Sequence, residues 1–595
     1  MKIMKDILTK RNLEIYYKSI NDPNLDKDIQ IITSLVNDFV KKYKWKIANM
    51  DDDWFLEMFE DDDTISYVIV KVGRYLWLKS AINTQDQEIL KKEQEFQEFI
   101  TDISNKLIFV DQELKEFWYE KLIEFSQKPK LKDYQNRFVQ KANSIKYLLD
   151  YDTEYALNLK SNATSNVLDN LQQELVSSFI FRIETDWKAK FLTEAQVRKL
   201  RYSVNPQTRK KAFDSIRRRY LDKKVQITLG NVYASVVKDR VASVKLRWFS
   251  NVMQPRNLSE EMHDEVVQTL LDQVNSSVHL YQRYNQIKAK LLWKDKLRYY
   301  DVFAPLQTQD KKIPFQQGLD MFLDCMKKFD QEFFQYSKKM FENWQVDVFP
   351  KRWKRWGAFA SSDKDHLSFI LLNYSETLDD VSAIAHEMGH AIHWYFSQQQ
   401  PRKVYDTWLC LAETASVFNE LVFADYIKST LQKEQKIDFL SKQLENAFAT
   451  IFRQVQYVNF EKAVHQSFYE WNQLTYKDLN KLWRYEQLKM SADTIEYDVP
   501  EYKECTWSQI PHIFAVPFYC YAYAFGNILS FALYQKYRQE SQNFIPKYKQ
   551  ILSKWGSMPP KELMSTVWID ISSKQFYNNW LKTIQDMLEE FESLV

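Results

Sequence analysis

Seven glycines in 595 residues leave this chain few ways to make tight turns. Hairpins and barrels need glycine where φ turns positive, so the scarcity argues against a β-rich or loop-rich architecture and a mainly α fold is predicted. The few glycines mark places where a side chain would clash. Three of them, Gly357, Gly389 and Gly526, fall in the segments that carry the chemistry described below.

Helical periodicity bears this out along the chain. Apolar residues recur at three-to-four spacing over residues 28–44, 88–108, 112–127 and 167–188, then across 206–247 and 260–290. Residues 301–314, with Pro305 and Pro314, read as a connection. Short apolar, partly β-branched runs at 346–349, 356–360 and 367–373 predict one small sheet. An edge strand there could take up an extended peptide through main-chain hydrogen bonds.

A chain of this length predicts two or more lobes. The net charge of +2, with 27% charged residues, argues against a nucleic-acid partner. The basic runs Arg209-Lys210-Lys211 and Arg217-Arg218-Arg219 read as solvated helix faces. Cys325, Cys410, Cys505 and Cys520 form no CxxC pair, which suits a reducing compartment. No apolar leader follows Met1 and no 18-residue apolar stretch occurs, so a cytoplasmic protein without a membrane span is expected. The most apolar segment, 510–534, is broken by His512 and Pro517 and reads as a buried helix.

The chemistry is concentrated in His386-Glu387-Met388-Gly389-His390, an H-E-x-x-H motif in a chain with only 8 histidines. On a helix the two imidazoles lie one turn apart and can share a metal ion, with Glu387 beside them as a general base for water. Thr377 and Asp380 have the form of a capping box that starts this helix. Two histidines leave a catalytic zinc one protein ligand short. His393 follows on the same helix, but three ligands in succession along a straight helix reach poorly around a tetrahedral ion. It is assigned to the surroundings of the ligands, or to the core, instead. Glu413, 23 residues past His390, is the better third ligand, and Glu420, two turns further, could accept a hydrogen bond from a ligand imidazole.

A second informative stretch runs from Pro511-His512 to Phe525-Gly526 and holds one histidine and three tyrosines, Tyr519, Tyr521 and Tyr523. Amide hydrolysis builds negative charge on the former carbonyl oxygen, and a phenol or imidazole donor aimed at it lowers the barrier. Tyr519 and Tyr523 are one turn apart if the segment is helical. The competing reading is an aromatic core helix.

With these pieces assembled, the chain resembles the M3 family of zinc metallopeptidases, most closely its oligoendopeptidase F branch. The matching segments are Gly357-Ala358-Phe359, Leu371-Leu372-Asn373-Tyr374, Leu378-Asp379-Asp380-Val381 leading into the H-E-x-x-H motif, Leu411 through Glu420, and Pro511-His512 through Gly526. Weaker similarity extends back to about residue 110 and includes Tyr300 through Pro305. The resemblance implies a two-lobed helical body with a deep central channel, and a small sheet beside the zinc helix. It implies an endopeptidase acting on short unstructured peptides, as a monomer or weak homo-oligomer. Residues 1–200 would form part of the channel wall and 201–595 the catalytic region. One Zn2+ would be held by His386, His390 and Glu413. Glu387 would be the base, and His512, Tyr523 and Tyr519 the transition-state contacts. Gly357, Ala358 and Tyr521 are assigned to substrate contact. A dipeptidyl carboxypeptidase or carboxypeptidase on the same scaffold is the alternative, and a non-catalytic peptide-binding protein a more remote one.

Overall fold

The computed structural model describes residues 13–115, 119–163, 165–185, 188–306, 312–355, 357–362 and 364–595. Trp356, at the start of one expected strand, lies outside them. Helices dominate. In the N-terminal lobe, α1 (Pro23–Tyr43), α2 (Asp52–Ile82), α3 (Gln87–Lys115) and α4 (Gln135–Ile145) surround their own core, in which Val36, Phe55, Val72 and Phe138 are almost fully buried. The α1 helix begins at Asp22, whose carboxylate caps Asn24 N–H, with Pro23 in the first turn.

Two expectations change here. The helix expected over 167–188 stops at Ser177, and a hairpin follows, β1 (Phe181–Thr185) against antiparallel β2 (Lys188–Leu192). Phe181 and Ile183 point into a core while Arg182 and Glu184 face water, a two-residue alternation that overrides the helical pattern. The boundary at 200 also cuts through one hydrophobic core. Phe181, Ile183 and Val197 pack with Phe213, Ile216 and Tyr220, from α5 (Pro206–Tyr220), and with Leu229, from α6 (Lys223–Leu246). The N-terminal core ends earlier, at Ile145. Arg209 is no solvated residue either. It is buried, with Nη2 2.6 Å from Asp301 Oδ1.

The three expected strands pair as β3 (Val346–Asp347), β4 (Phe359–Ser361) and β5 (Phe369–Leu371). The order is β3-β5-β4, with β3 parallel and β4 antiparallel to the central strand. This leaves β4 on an edge, against α7 (Leu378–Ser397). The α7 helix starts at the Thr377–Asp380 capping box and buries Val381, Ile384, Ala385, Met388 and Ile392. It packs on α9 (Thr414–Lys428), reached through the short α8 (Leu409–Ala412). Beyond these come α10 (Lys433–Ala447), a π-helical turn at Phe448–Phe452, α11 (Arg453–Tyr469), α12 (Tyr476–Ser491), the short α13 (Pro511–Ala515), α14 (Cys520–Glu540) and α15 (Lys574–Leu594).

Several helix ends hold tryptophan where glycine is usual. Among the described residues, six helix ends close with the six-to-one hydrogen bond of a Schellman motif. One, Met262 N–H to Asn257 at 2.9 Å, encloses Glu261. The other five are Phe249 N–H to Val244, Lys294 to Ala289, Gln345 to Met340, Asn472 to Ser467 and Ile569 to Met564, all 3.0–3.1 Å. The left-handed residue of such a motif is usually glycine. In those five it is Trp248, Trp293, Trp344, Trp471 and Trp568, with φ of 58–64°. Trp45 and Trp353 are left-handed as well, with φ of 67° and 69°. All seven indoles are 40–96% exposed, so packing returns little. At about 1–2 kcal/mol per left-handed side chain, seven together approach the whole stability of an ordinary domain, about 5–15 kcal/mol.

Candidate active site

The metal-type cluster is assembled by three helices. α7 presents His386 and His390 one turn apart, their rings 5.0 Å from each other. Glu413 lies at the junction of α8 and α9, where its Oε2 is 3.3 Å from His386 Nε2 and 3.6 Å from His390 Nε2. The ligand atoms of all three residues lie within 4.8 Å of one another. Close approach of the backbones makes this possible. A Cβ on Gly389 would sit 2.6 Å from Ala415 O, and one on Gly526 would sit 3.2 Å from Cys410 O. Asn419 also ties the helices together, donating to Ala385 O at 2.6 Å.

Each donor is oriented from behind. Glu420 Oε1 is hydrogen-bonded to His386 Nδ1. His390 bonds to the backbone carbonyl of Ala412. Ser416 Oγ donates to Glu413 Oε2 at 2.9 Å. Such partners fix the imidazole tautomer and aim the free nitrogen. Burial holds His390 neutral, pushed down to about 4, despite the pull of Glu413. Burial would raise Glu413, yet the bond from His386 and the pull of the neighbouring imidazoles bring it down to about 2.

The donors fit a tetrahedral ion. Bonds of about 2.0–2.2 Å to nitrogen and oxygen give tetrahedron edges of about 3.3–3.6 Å, the spacing seen here from Glu413 to each imidazole. Three carboxylates, Glu387, Glu413 and Glu420, also surround two imidazoles, a surplus of negative charge that a cation would balance.

Glu387 is 6% exposed, and burial pushes its carboxyl up to about 7. Its hydrogen-bond partner is the Ala360 backbone N–H of the edge strand β4. Gly357 and Ala358 lead into that strand from the exposed side. Gly357 needs its residue type for conformation, at φ +84° with open space where a Cβ would be. Asn373 Nδ2 holds the turn by donating to Gly357 O at 2.7 Å.

Three of the C-terminal aromatics meet. The His512 ring stacks on Tyr519 at 5.7 Å and stands edge-on to Tyr523 at 5.8 Å, and the two tyrosines are 4.8 Å apart. Tyr523 lines a cavity of ≈ 270 Å³ together with His386, Glu413, Glu420, Asn446 and Thr450. Burial lowers the pKa of His512 and raises those of both tyrosines, so in neutral solution all three present uncharged rings.

This geometry corrects the assignment of Tyr521 and, of the two readings of His393, favours the core over the surroundings of the ligands. Tyr521 is fully buried with its hydroxyl unpartnered among the described residues, so it cannot touch a substrate. It sits two residues from Tyr523, on the opposite side of α14. His393 makes no bond to either imidazole. Its ring lies in the core, 4.6 Å from Trp555.

Sequence reasoning missed the groups that hold the His512–Tyr519 segment. Arg240 donates to Ile513 O at 2.8 Å and to Phe514 O. Arg256 donates to Pro517 O at 3.2 Å, and Glu461 accepts from Phe518 N–H at 3.0 Å. These partners are 57 to 274 positions away in the chain, and no local spacing announces them.

Two converging histidines, a third oxygen donor and an adjacent buried carboxylate, set against an edge strand, define a metal-dependent hydrolase of peptide-like substrates. The chain belongs to Peptidase family M3, whose model matches residues 199–583. Oligopeptidase PepF of Bacillus subtilis is 24% identical over 589 residues, covering 97% of this chain and 86% of that protein. A crystal structure from Chlamydophila abortus superposes with a TM-score of 0.84 at 24% identity, covering 99% of this chain and 98% of that one. That of oligoendopeptidase-F from Enterococcus faecium superposes at 0.74 with 20% identity, covering 96% and 98%.

Proposed function

We propose that this chain is a zinc-dependent endopeptidase that hydrolyses internal bonds of short, unstructured oligopeptides. The observation that carries this reading is the convergence of His386, His390 and Glu413 beside the buried Glu387, whose partner is the edge strand β4. One Zn2+ per chain would be held by His386, His390 and Glu413. When bound, zinc supplies Lewis-acid polarisation of a carbonyl and brings the pKa of water toward about 7.

The chain's own groups do the rest. The outer edge of β4, entered through Gly357 and Ala358, offers main-chain groups besides the Ala360 N–H that Glu387 holds, and these would align an extended peptide without reading its side chains. Glu387 takes a proton from the attacking water and delivers one to the leaving amine, a task suited to a carboxyl raised to about 7. Tyr523 and His512 donate to the oxygen that gains charge, and Tyr519 holds the other two rings in place. Four free, buried cysteines suit action in the cytoplasm, as a monomer or weak homo-oligomer. Among the described residues no helix is long and apolar enough to cross a membrane.

The test uses a short internally quenched peptide blocked at both ends, with products identified by mass. Internal cleavage of the blocked peptide is expected. Release of residues only from the C-terminus of an unblocked peptide would instead assign a carboxypeptidase or dipeptidyl carboxypeptidase.

A further inference from the structure

A second cavity, of ≈ 230 Å³, lies between α11, α12 and the 506–510 turn, with Arg198, Arg201, Arg453, Gln456, Tyr457 and Gln509 in its wall. Its donors outnumber its acceptors. Gln456 is 4% exposed, and its Nε2 has no acceptor among the described residues. The Arg453 Nε is buried in the same condition. No ion pair to Arg453 occurs among the described residues. Arg198 is paired with Glu194 through Nε and Nη2, and the same Nη2 donates to Gln509 Oε1 at 3.0 Å. Arg201 lies over the Phe303 ring at 4.3 Å. The fields of Arg453, Arg198 and Arg201 all reach the phenol of Tyr457, where burial and these cations act in opposite directions. Buried donors without partners are costly, and the Arg453 guanidinium beside the unpartnered Gln456 Nε2 calls for an anion.

The cavity is linked to the catalytic one through shared segments. Thr450 lines the catalytic cavity, and Arg453 follows less than one helical turn later. Ile510 lines the second cavity and stands two residues before His512. We propose that this cavity is a subsite for a carboxylate of the peptide substrate, bound by Arg453 and Gln456 with Arg201 and Arg198 behind them. The proposal rests on the peptidase reading for the nature of its ligand. Guanidinium groups suit a carboxylate because they bind both of its oxygens at once. The carboxylate is either the C-terminus of the peptide or an acidic side chain.

Three peptides of matched sequence separate these sources: one with a free C-terminus and no acidic residue, its C-terminal amide, and the amide carrying an internal glutamate. Binding to the Glu387→Gln protein is measured by fluorescence anisotropy, with kcat/KM measured on the unmodified protein. One carboxylate peptide is expected to bind about tenfold tighter than the neutral amide, the scale of a hydrogen-bonded charge. Which one it is identifies the source. That ratio should fall to near unity in Arg453→Gln and recover in part in Arg453→Lys. Equal binding of all three peptides to a protein with native Arg453 would overturn the proposal without reliance on any variant. Selective binding with no hydrolysis would keep the subsite and remove the peptidase reading.

The tryptophans carry a separate inference. Among the described residues, seven of the twelve non-glycine residues at positive φ are tryptophan, five of them at Schellman positions, and every one of the seven is exposed. The chain has 18 tryptophans and 7 glycines, whereas roughly 7% glycine, about forty residues, is ordinary. We infer that the cell of origin inserts glycine at Trp45, Trp248, Trp293, Trp344, Trp353, Trp471 and Trp568, by decoding as glycine a codon elsewhere read as tryptophan. In the gene, these seven positions should share one codon that differs from the codon of the buried Trp483, Trp507 and Trp580. Peptide mass mapping of protein from its native cells should find glycine at all seven. Tryptophan at these positions in that protein, or one codon common to both groups, would overturn the inference.

Discussion

Replacing Glu387 by glutamine should lower kcat by about 10²–10⁴-fold, the range that general acid–base catalysis supplies, while leaving zinc content unchanged. The side chain is nearly buried and contributes no donor atom to the His386, His390 and Glu413 cluster. Glutamine has the same shape and can still accept from Ala360 N–H through its amide oxygen. What it loses is the ability to take and return a proton. Steady-state kinetics with elemental analysis of the same samples checks both halves. Retained activity would move the base elsewhere. Lost zinc would show that Glu387 supports the metal site as well.

Gly389→Ala should destabilise the protein by about 1–3 kcal/mol, the usual cost of overpacking a tight interface, and should weaken zinc binding. Alanine favours a helix over glycine by about 0.8–1 kcal/mol, so the outcome is a contest. Sterics should win because the atoms in the way are backbone: Ala415 O and Ser416 Cα, both 2.6 Å from the new Cβ. No flexible side chain can move aside. Relief requires α9 to shift away from α7, and α9 carries Ser416 and Glu420, which orient Glu413 and His386. Denaturant unfolding with and without zinc measures the two effects. Equal stability to the parent would mean the two helices slide apart without cost.

The candidate metal site of this molecule was readable because its signals are local. The capping box at Thr377, the one-turn spacing of His386 and His390, and the buried stripe of α7 all lie within a few turns of one helix. Glu413 and Glu420 were legible because a second helix must follow the first closely. The strands before α7 showed as short β-branched runs. Other features depend on contacts far along the chain. Arg209 looks like a surface charge until Asp301, 92 positions away, is brought to it. Arg240, Arg256 and Glu461 become relevant only once folding delivers the His512 segment to them. The hairpin at Phe181 was hidden because a five-residue alternation is easily absorbed into a helical pattern. Tyr521 was misassigned because burial, which separates it from Tyr523, depends on which face of α14 meets the core.

The measurement that tests the central claim most directly is a zinc titration of chelator-treated protein, followed by hydrolysis of the end-blocked peptide. The account predicts no cleavage without metal and activity rising linearly to a plateau at one zinc per chain. It also predicts that His390→Ala shows no such recovery at the same zinc concentrations. Cleavage that persists in chelator, or recovery that survives the loss of His390, would contradict it.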